Sequence, residues 1–230
     1  MLNYEIYGKG SRVIVFLHGF MSDINALRGI ANGLEGNSRV ILVDFGFRKE
    51  PDRPLTLADY VNGVREILNN EMVSEAYFVC HSFGGRVGIR LASNYPHLVK
   101  GMVLIGSAGL KPRRGLCYYF KVGLHKILKK LGKSGLKGSA DYKDLMPNQK
   151  GTFINIVNDF TDRDLKYITA KVLLIWGSKD RATPLYMARR YLRKLPNATL
   201  KILEGCSHFC YLEKRGETLS LIRAYISGDE

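Results

Sequence analysis

No stretch of this chain approaches the run of about 18 apolar residues that a helix needs to cross a bilayer. The opening MLNYEIYGKG lacks the basic segment followed by an apolar one that marks an export signal. A cytoplasmic protein is therefore expected. Cysteine is scarce, four in 230 residues, too few for a disulfide framework. Cys80, Cys117, Cys206 and Cys210 are expected as reduced thiols. Cys206-x-His208-x-Cys210 offers ligand types, yet no second cluster completes a tetrahedral set, so no metal is expected. A dinucleotide fingerprint and a phosphate-cradling loop are both missing, and no cofactor is expected.

Acid is in deficit as well: 21 Asp and Glu stand against 35 Lys and Arg, a net charge of +14. Such a balance suits nucleic acid, an anionic membrane, acidic substrates or simply a solvated surface. Nucleic acid is not expected, because the basic run has no interleaved stacking aromatics and matches no binding module. Hydrophobic residues make up 46% and charged residues 24%, an ordinary globular balance that argues against disorder over most of the chain.

Short apolar runs recur at Val13–Leu17, Val40–Asp44, Ala76–Cys80, Gly101–Ile105, Val172–Trp176 and Thr199–Leu203. Unbroken apolarity over about five residues suits strands buried on both faces. LNYEIYG reads as an extra edge strand. Between the runs lie helical patterns: Asp23–Leu34 after a Ser22 cap, Leu57–Asn70 after a Thr56 cap, Phe83–Tyr95 ending before Pro96, and Pro184–Leu195. This alternation predicts a parallel sheet with helices on both faces. From Lys111 to Lys166 the rhythm breaks. Leu116, Phe120, Leu124, Ile127, Leu128 and Leu131 form one helical stripe, GKSGLKGS at 132–139 reads as a flexible joint, and Asn148–Asp159 as a second helix.

Four local patterns carry chemistry. In YFVCHSFGGRVG (77–88) a strand runs through Cys80 and His81 into Ser82, then Phe83-Gly84-Gly85 and a helix, which places a serine on a tight strand-to-helix turn. In VIVFLHGFMSD (13–23) a buried strand ends in His18-Gly19-Phe20. In KVLLIWGSKDRATP (171–184) a strand gives way to Gly177-Ser178-Lys179-Asp180. In ATLKILEGCSHFCYLEKRGE (198–217) a glycine-containing loop carries His208. A serine hydroxyl is a poor nucleophile at neutral pH. It needs an imidazole to take its proton and a carboxylate to fix that imidazole's tautomer.

Together these segments resemble the α/β-hydrolase superfamily, and the order Ser82, Asp180, His208 is the one expected of that fold. The resemblance covers nearly the whole chain outside the 111–166 insertion. It implies an α/β fold with a mostly parallel sheet, helices on both faces and a helical cap. The core would comprise 1–110 and 167–230, with the cap at 111–166, inserted after the family's sixth sheet strand. It implies Ser82 as nucleophile, His208 as base, Asp180 as the residue orienting that base, and the N–H groups of Phe20 and Phe83 as oxyanion donors. His18 and His81 are expected to be scaffold residues. Two departures stand out. Cys80 replaces the usual glycine before the serine. Asp44-Phe45-Gly46-Phe47-Arg48-Lys49-Glu50-Pro51 replaces the usual proline–glycine turn leading to a serine.

The implied activity is hydrolysis of an ester or thioester through an acyl-serine. The same triad also serves carbon–carbon bond hydrolysis, perhydrolysis and lyase chemistry in relatives, and a non-catalytic binding or signalling protein on the same scaffold is the other class. Haloalkane dehalogenation is not expected, since it uses an aspartate where Ser82 stands. Lys111, Arg113, Arg114, Lys121, Lys126, Lys129, Lys130, Lys133 and Lys137 all precede the insertion's first acid, Asp141. They form either the wet face of an amphipathic cap helix or a docking surface. The docking partners that fit are an acidic acyl carrier protein, a coenzyme A thioester or anionic lipid.

Overall fold

The computed structural model describes residues 2–113 and 145–228. The apolar stripe, the joint and the basic residues from Arg114 to Lys137 therefore lie outside the described residues.

Seven strands form one sheet in the order β1-β3-β2-β4-β5-β6-β7. They are β1 (Asn3–Tyr7), β2 (Arg12–Leu17), β3 (Ser38–Asp44), β4 (Ala76–His81), β5 (Val99–Ile105), β6 (Lys171–Gly177) and β7 (Ala198–Leu203). Only β1 runs antiparallel, pairing Asn3 with Asp44 and Tyr7 with Val40. The other neighbours are parallel. The expected edge strand and the six parallel strands are all present, and segment 111–166 falls between β5 and β6.

The apolar runs are unbroken because both sheet faces are covered. On β2, Val15 and Leu17 face one core cluster and Ile14 and Phe16 the other. The first cluster is roofed by α2 (Leu57–Asn70), α3 (Phe83–Asn94) and α5 (Leu185–Lys194); the second by α1 (Asn25–Ala31) and α7 (Arg215–Ser227). Between them in sequence come α4 (Pro147–Asn158) and the short α6 (Cys210–Glu213). Among the described residues, no helix is long and apolar enough to cross a membrane.

The Thr56 cap is present as a reciprocal pair. Thr56 Oγ1 accepts the Asp59 N–H at 3.3 Å, and Asp59 Oδ2 accepts the Thr56 N–H at 2.7 Å, a device worth about 1 kcal/mol. The Ser22 cap is not. The first helix starts later, at Asn25, without a side-chain cap bond at its N-cap. Asp23 takes the Asn25 N–H at 2.8 Å instead, while the Ser22 N–H turns back to the Gly19 carbonyl.

α4 lies within the described residues of the insertion, and it is tied to the loop after β3. Gln149 Nε2 donates to the Phe47 carbonyl at 2.9 Å, Asn148 Nδ2 to that of Pro51 at 2.9 Å, and Asn155 Nδ2 to that of Leu55 at 3.1 Å. The Leu55 N–H donates to Thr152 Oγ1 at 2.9 Å. The loop whose sequence departs most from the family pattern is thus braced by side chains about 100 positions away.

Candidate active site

Parallel strands end at a common edge. The loops after β2, β4, β6 and β7 therefore bring Phe20, Ser82, Asp180 and His208 to one side of the sheet. Chain order reverses between β2 and β4, and a crevice opens at such a switch point.

Ser82 sits between β4 and α3 at φ 50, ψ −109, a conformation that costs a non-glycine residue about 1–3 kcal/mol. The turn survives because its neighbours lack bulk. A Cβ on Gly84 would lie 2.1 Å from the Leu17 carbonyl oxygen, and one on Gly85 would lie 2.1 Å from Ser107 Oγ. Cys80 is fully buried, and a Cβ on Gly88 would come within 2.8 Å of its Sγ. The extra atoms at Cys80 are thus accommodated by a glycine on the facing helix turn. Backbone bonds lock the elbow to its surroundings: Gly84 N–H to the His18 carbonyl at 3.0 Å, Ser82 N–H to that of Ile105 at 3.1 Å, and Ala108 N–H to that of Ser82 at 2.9 Å.

Asp180 and His208 meet, with Nδ1 and Oδ2 2.8 Å apart. The Asp180 side chain is fully buried and well supplied with donors. Its Oδ1 accepts the N–H groups of Ala182 at 2.9 Å and Thr183 at 2.8 Å, and its Oδ2 accepts the Thr183 hydroxyl at 2.8 Å. Burial alone would raise this carboxyl. The bonds from His208 and Thr183 outweigh it and hold the pKa below the ordinary aspartate value. Gly106 closes the approach: a Cβ there would sit 3.1 Å from His208 Nδ1 and 3.2 Å from Asp180 Oδ2. The histidine loop is anchored at its other side by Glu213, whose Oε2 accepts the Ser207 N–H at 2.8 Å.

With Nδ1 engaged by the carboxylate, Nε2 of His208 is the nitrogen left for a proton from a substrate or nucleophile. Among the described residues, the Ser82 hydroxyl makes no hydrogen bond to that imidazole. The residue before the serine, His81, has its ring centroid 4.8 Å from that of His208. Hydroxyl–imidazole bonds of this kind are often long until substrate is bound.

His18 braces the loops after β2 and β3. Its Nδ1 donates to the Gly19 carbonyl at 2.8 Å and its Nε2 accepts the Phe45 N–H at 3.0 Å. The bond accepted at Nε2 calls for a neutral ring, and burial pushes its pKa down to suit. In a trans peptide the carbonyl and the following N–H point opposite ways. Holding the Gly19 carbonyl therefore turns the Phe20 N–H away from His18. Among the described residues, neither the Phe20 nor the Phe83 N–H is taken up by a backbone carbonyl. The rings of these two residues join Phe45, Phe47 and Tyr60 in one aromatic wall, with Phe20–Phe47 centroids at 4.7 Å and Phe47–Phe83 at 5.4 Å. A cavity of about 20 Å³ lies against Phe20, Phe45, Phe47 and Tyr60, and a larger one of about 510 Å³ borders Phe45 and Tyr60.

Thr183, Glu213 and Gly106 went unnoticed in the sequence. The D-x-x-T spacing at 180–183 was the one available signal, since a carboxylate commonly caps N–H groups two and three residues on. The cysteines flanking His208 are buried, and desolvation raises Cys210 to about 12.

A family model described as the alpha/beta hydrolase family matches residues 14–220. The chain belongs to the α/β-hydrolase family. It is a hydrolase, as its named relatives are. The uncharacterized hydrolase YugF of Bacillus subtilis is 28% identical over 94% of this chain and 90% of its own length. The 2-hydroxy-6-oxo-6-phenylhexa-2,4-dienoate hydrolase of Comamonas testosteroni is 26% identical over 94% and 88%. Among solved structures, the meta-cleavage product hydrolase CumD of Pseudomonas fluorescens IP01 aligns with TM-score 0.75 at 22% identity, over 100% of this chain and 95% of that one. A thermophilic esterase from Thermogutta terrifontis aligns with TM-score 0.77 at 16% identity, over 99% and 93%. At these identities the structural likenesses carry the fold alone.

Proposed function

We propose that this α/β hydrolase cleaves an ester or thioester of a small or acyl-chain substrate through an acyl-serine. Ser82 attacks the carbonyl carbon, and His208 takes the hydroxyl proton and passes it to the leaving group. Asp180 holds the imidazole in the Nδ1–H tautomer and stabilises its charged form. The Phe20 and Phe83 N–H groups steady the oxyanion, each such donor being worth about 3 kcal/mol in the barrier. Water, deprotonated by His208, then releases the acid.

The observation that carries this reading is the Asp180–His208 pair at 2.8 Å, at the same edge of the sheet as a serine held at positive φ on a strand–helix turn. The test is Ser82→Ala. Turnover of an activated short-chain ester should vanish with the fold intact, and a fluorophosphonate should label the native wild type but not the denatured protein. Retained turnover in the variant sinks the mechanism, and a native wild type that never labels favours a non-catalytic binding role.

Carbon–carbon bond hydrolysis is the second reading, favoured by relatives named for dienoate substrates. Preference for a vinylogous diketone acid over esters would select it. The insertion's exposed Lys111 and Arg113 also suit an acidic acyl carrier. Carrier-linked thioesters should then be cleaved in a steeply salt-dependent way while free esters are not.

A further inference from the structure

His81 is buried beside the site, 2% exposed, and the mechanism above does not use it. Its Nε2 lies 3.2 Å from the backbone carbonyl of His208. Its ring packs 4.8 Å from that of His208, 5.6 Å from Phe209 and 4.7 Å from Tyr211, centroid to centroid. On its other side a Cβ at Gly19 would stand 3.0 Å from Nδ1, so the missing side chain there lets the ring reach the loop that carries Phe20. Nδ1 itself is buried without a hydrogen-bond partner. One imidazole thus touches the loops of the base and of the oxyanion donors from directly behind the nucleophile.

We propose that His81 is a positioning residue, which holds the His208 backbone through its Nε2–H so that the base stays aligned between Asp180 and Ser82. The inference rests on the serine-hydrolase reading. The physical need is plain. His208 sits in a loop without regular structure, between β7 and α6. Its ring is tied at one nitrogen, so it can pivot about the bond to Asp180. A second restraint on its backbone removes that freedom. The restraint must be a neutral donor, since a cation beside His208 would oppose the imidazolium formed in catalysis. Burial, and then the neighbouring His208, push the His81 pKa down to about 3, which keeps it uncharged.

The experiment compares wild type with His81→Gln, His81→Asn and His81→Phe on p-nitrophenyl acetate, with melting temperature as the control for folding. Glutamine places an amide N–H near the Nε2 position, whereas asparagine places one near Nδ1. Phenylalanine keeps a ring but has no donor, so it stands in should the asparagine variant fail to fold. His81→Asn and His81→Phe should lose about ten- to a hundredfold in kcat, the scale of a small misplacement, with KM held within about twofold. His81→Gln should recover most of the loss. Equal kcat in all four proteins, or equal loss in all three variants, overturns the positioning role. A wild type inert to both the ester and the fluorophosphonate removes the serine-hydrolase reading, and the inference with it.

Discussion

Acid should unfold this protein partly through His81, by an amount that can be worked out. In the unfolded chain its imidazole titrates near the ordinary value of 6.5; in the folded protein, burial and the adjacent His208 bring it to about 3. Between those values the unfolded chain binds a proton that the folded protein refuses. Stability is therefore fully present above pH 6.5, declines as pH falls, and stops declining on this account near pH 3. The slope is about 1.4 kcal/mol per pH unit per group, and the total from about pH 7 to about pH 4.5 is about 2.5 kcal/mol. The assay is urea unfolding of wild type and His81→Gln at both pH values, extrapolated to water. His18 is also held neutral by burial, but it contributes equally to both proteins and cancels in the difference. The wild type should lose about 2.5 kcal/mol more than the variant on acidification. Losses that agree within about 0.5 kcal/mol would show that His81 accepts a proton in the folded state, and the reasoning from its enclosure would be wrong.

Asp180→Asn keeps an oxygen for the Ala182 and Thr183 N–H groups and so turns an amide N–H₂ towards His208. That favours the wrong tautomer, and kcat for an activated ester should fall by about a thousandfold or more with the melting temperature little changed. Gly84→Ala drives a Cβ to 2.1 Å from the Leu17 carbonyl. It should cost about 1–3 kcal/mol or more in thermal unfolding and abolish fluorophosphonate labelling, whereas Gly36→Ala, with nothing within 4 Å, should leave both intact. Phe47→Ala removes a ring packed against Phe20, Phe83 and Tyr60. It should cost about 3–5 kcal/mol in urea unfolding and shift an ester chain-length series towards bulkier acyl groups.

The layered fold was legible because its signals are local. An apolar run buried on both faces reads the same wherever its partners lie, and Thr56 and Asp59 announce their helix within four residues. The braces of the site are not local. Gln149 holds the Phe47 carbonyl across 102 positions, and His18 holds the Phe45 N–H across 27; in the sequence each is one more polar residue in a loop. The closing helix Arg215–Ser227 escaped notice although Leu219, Ile222 and Ile226 share a stripe. Gly216 and four charged residues among its first neighbours dilute that signal, and burial against β-strands on the second face supplies what the pattern lacks.

Cys80 shows why a motif is better read as a constraint on space than as a string. By residue type it breaks the pattern before the nucleophile, where strand and helix pass closest. The rule being obeyed is that strand and helix together present little bulk there. Relatives satisfy it with a glycine on the strand. Here the cysteine is paid for by Gly88, in the second turn of the facing helix, whose missing Cβ leaves the thiol its room. It follows that Cys80→Gly alone should open a small void rather than improve the elbow. Gly88→Ala should be tolerated only when Cys80 is first reduced to glycine, so the two changes should be non-additive in thermal stability. Additive effects of the pair would mean that the sulfur and the helix turn do not share the space assigned to them.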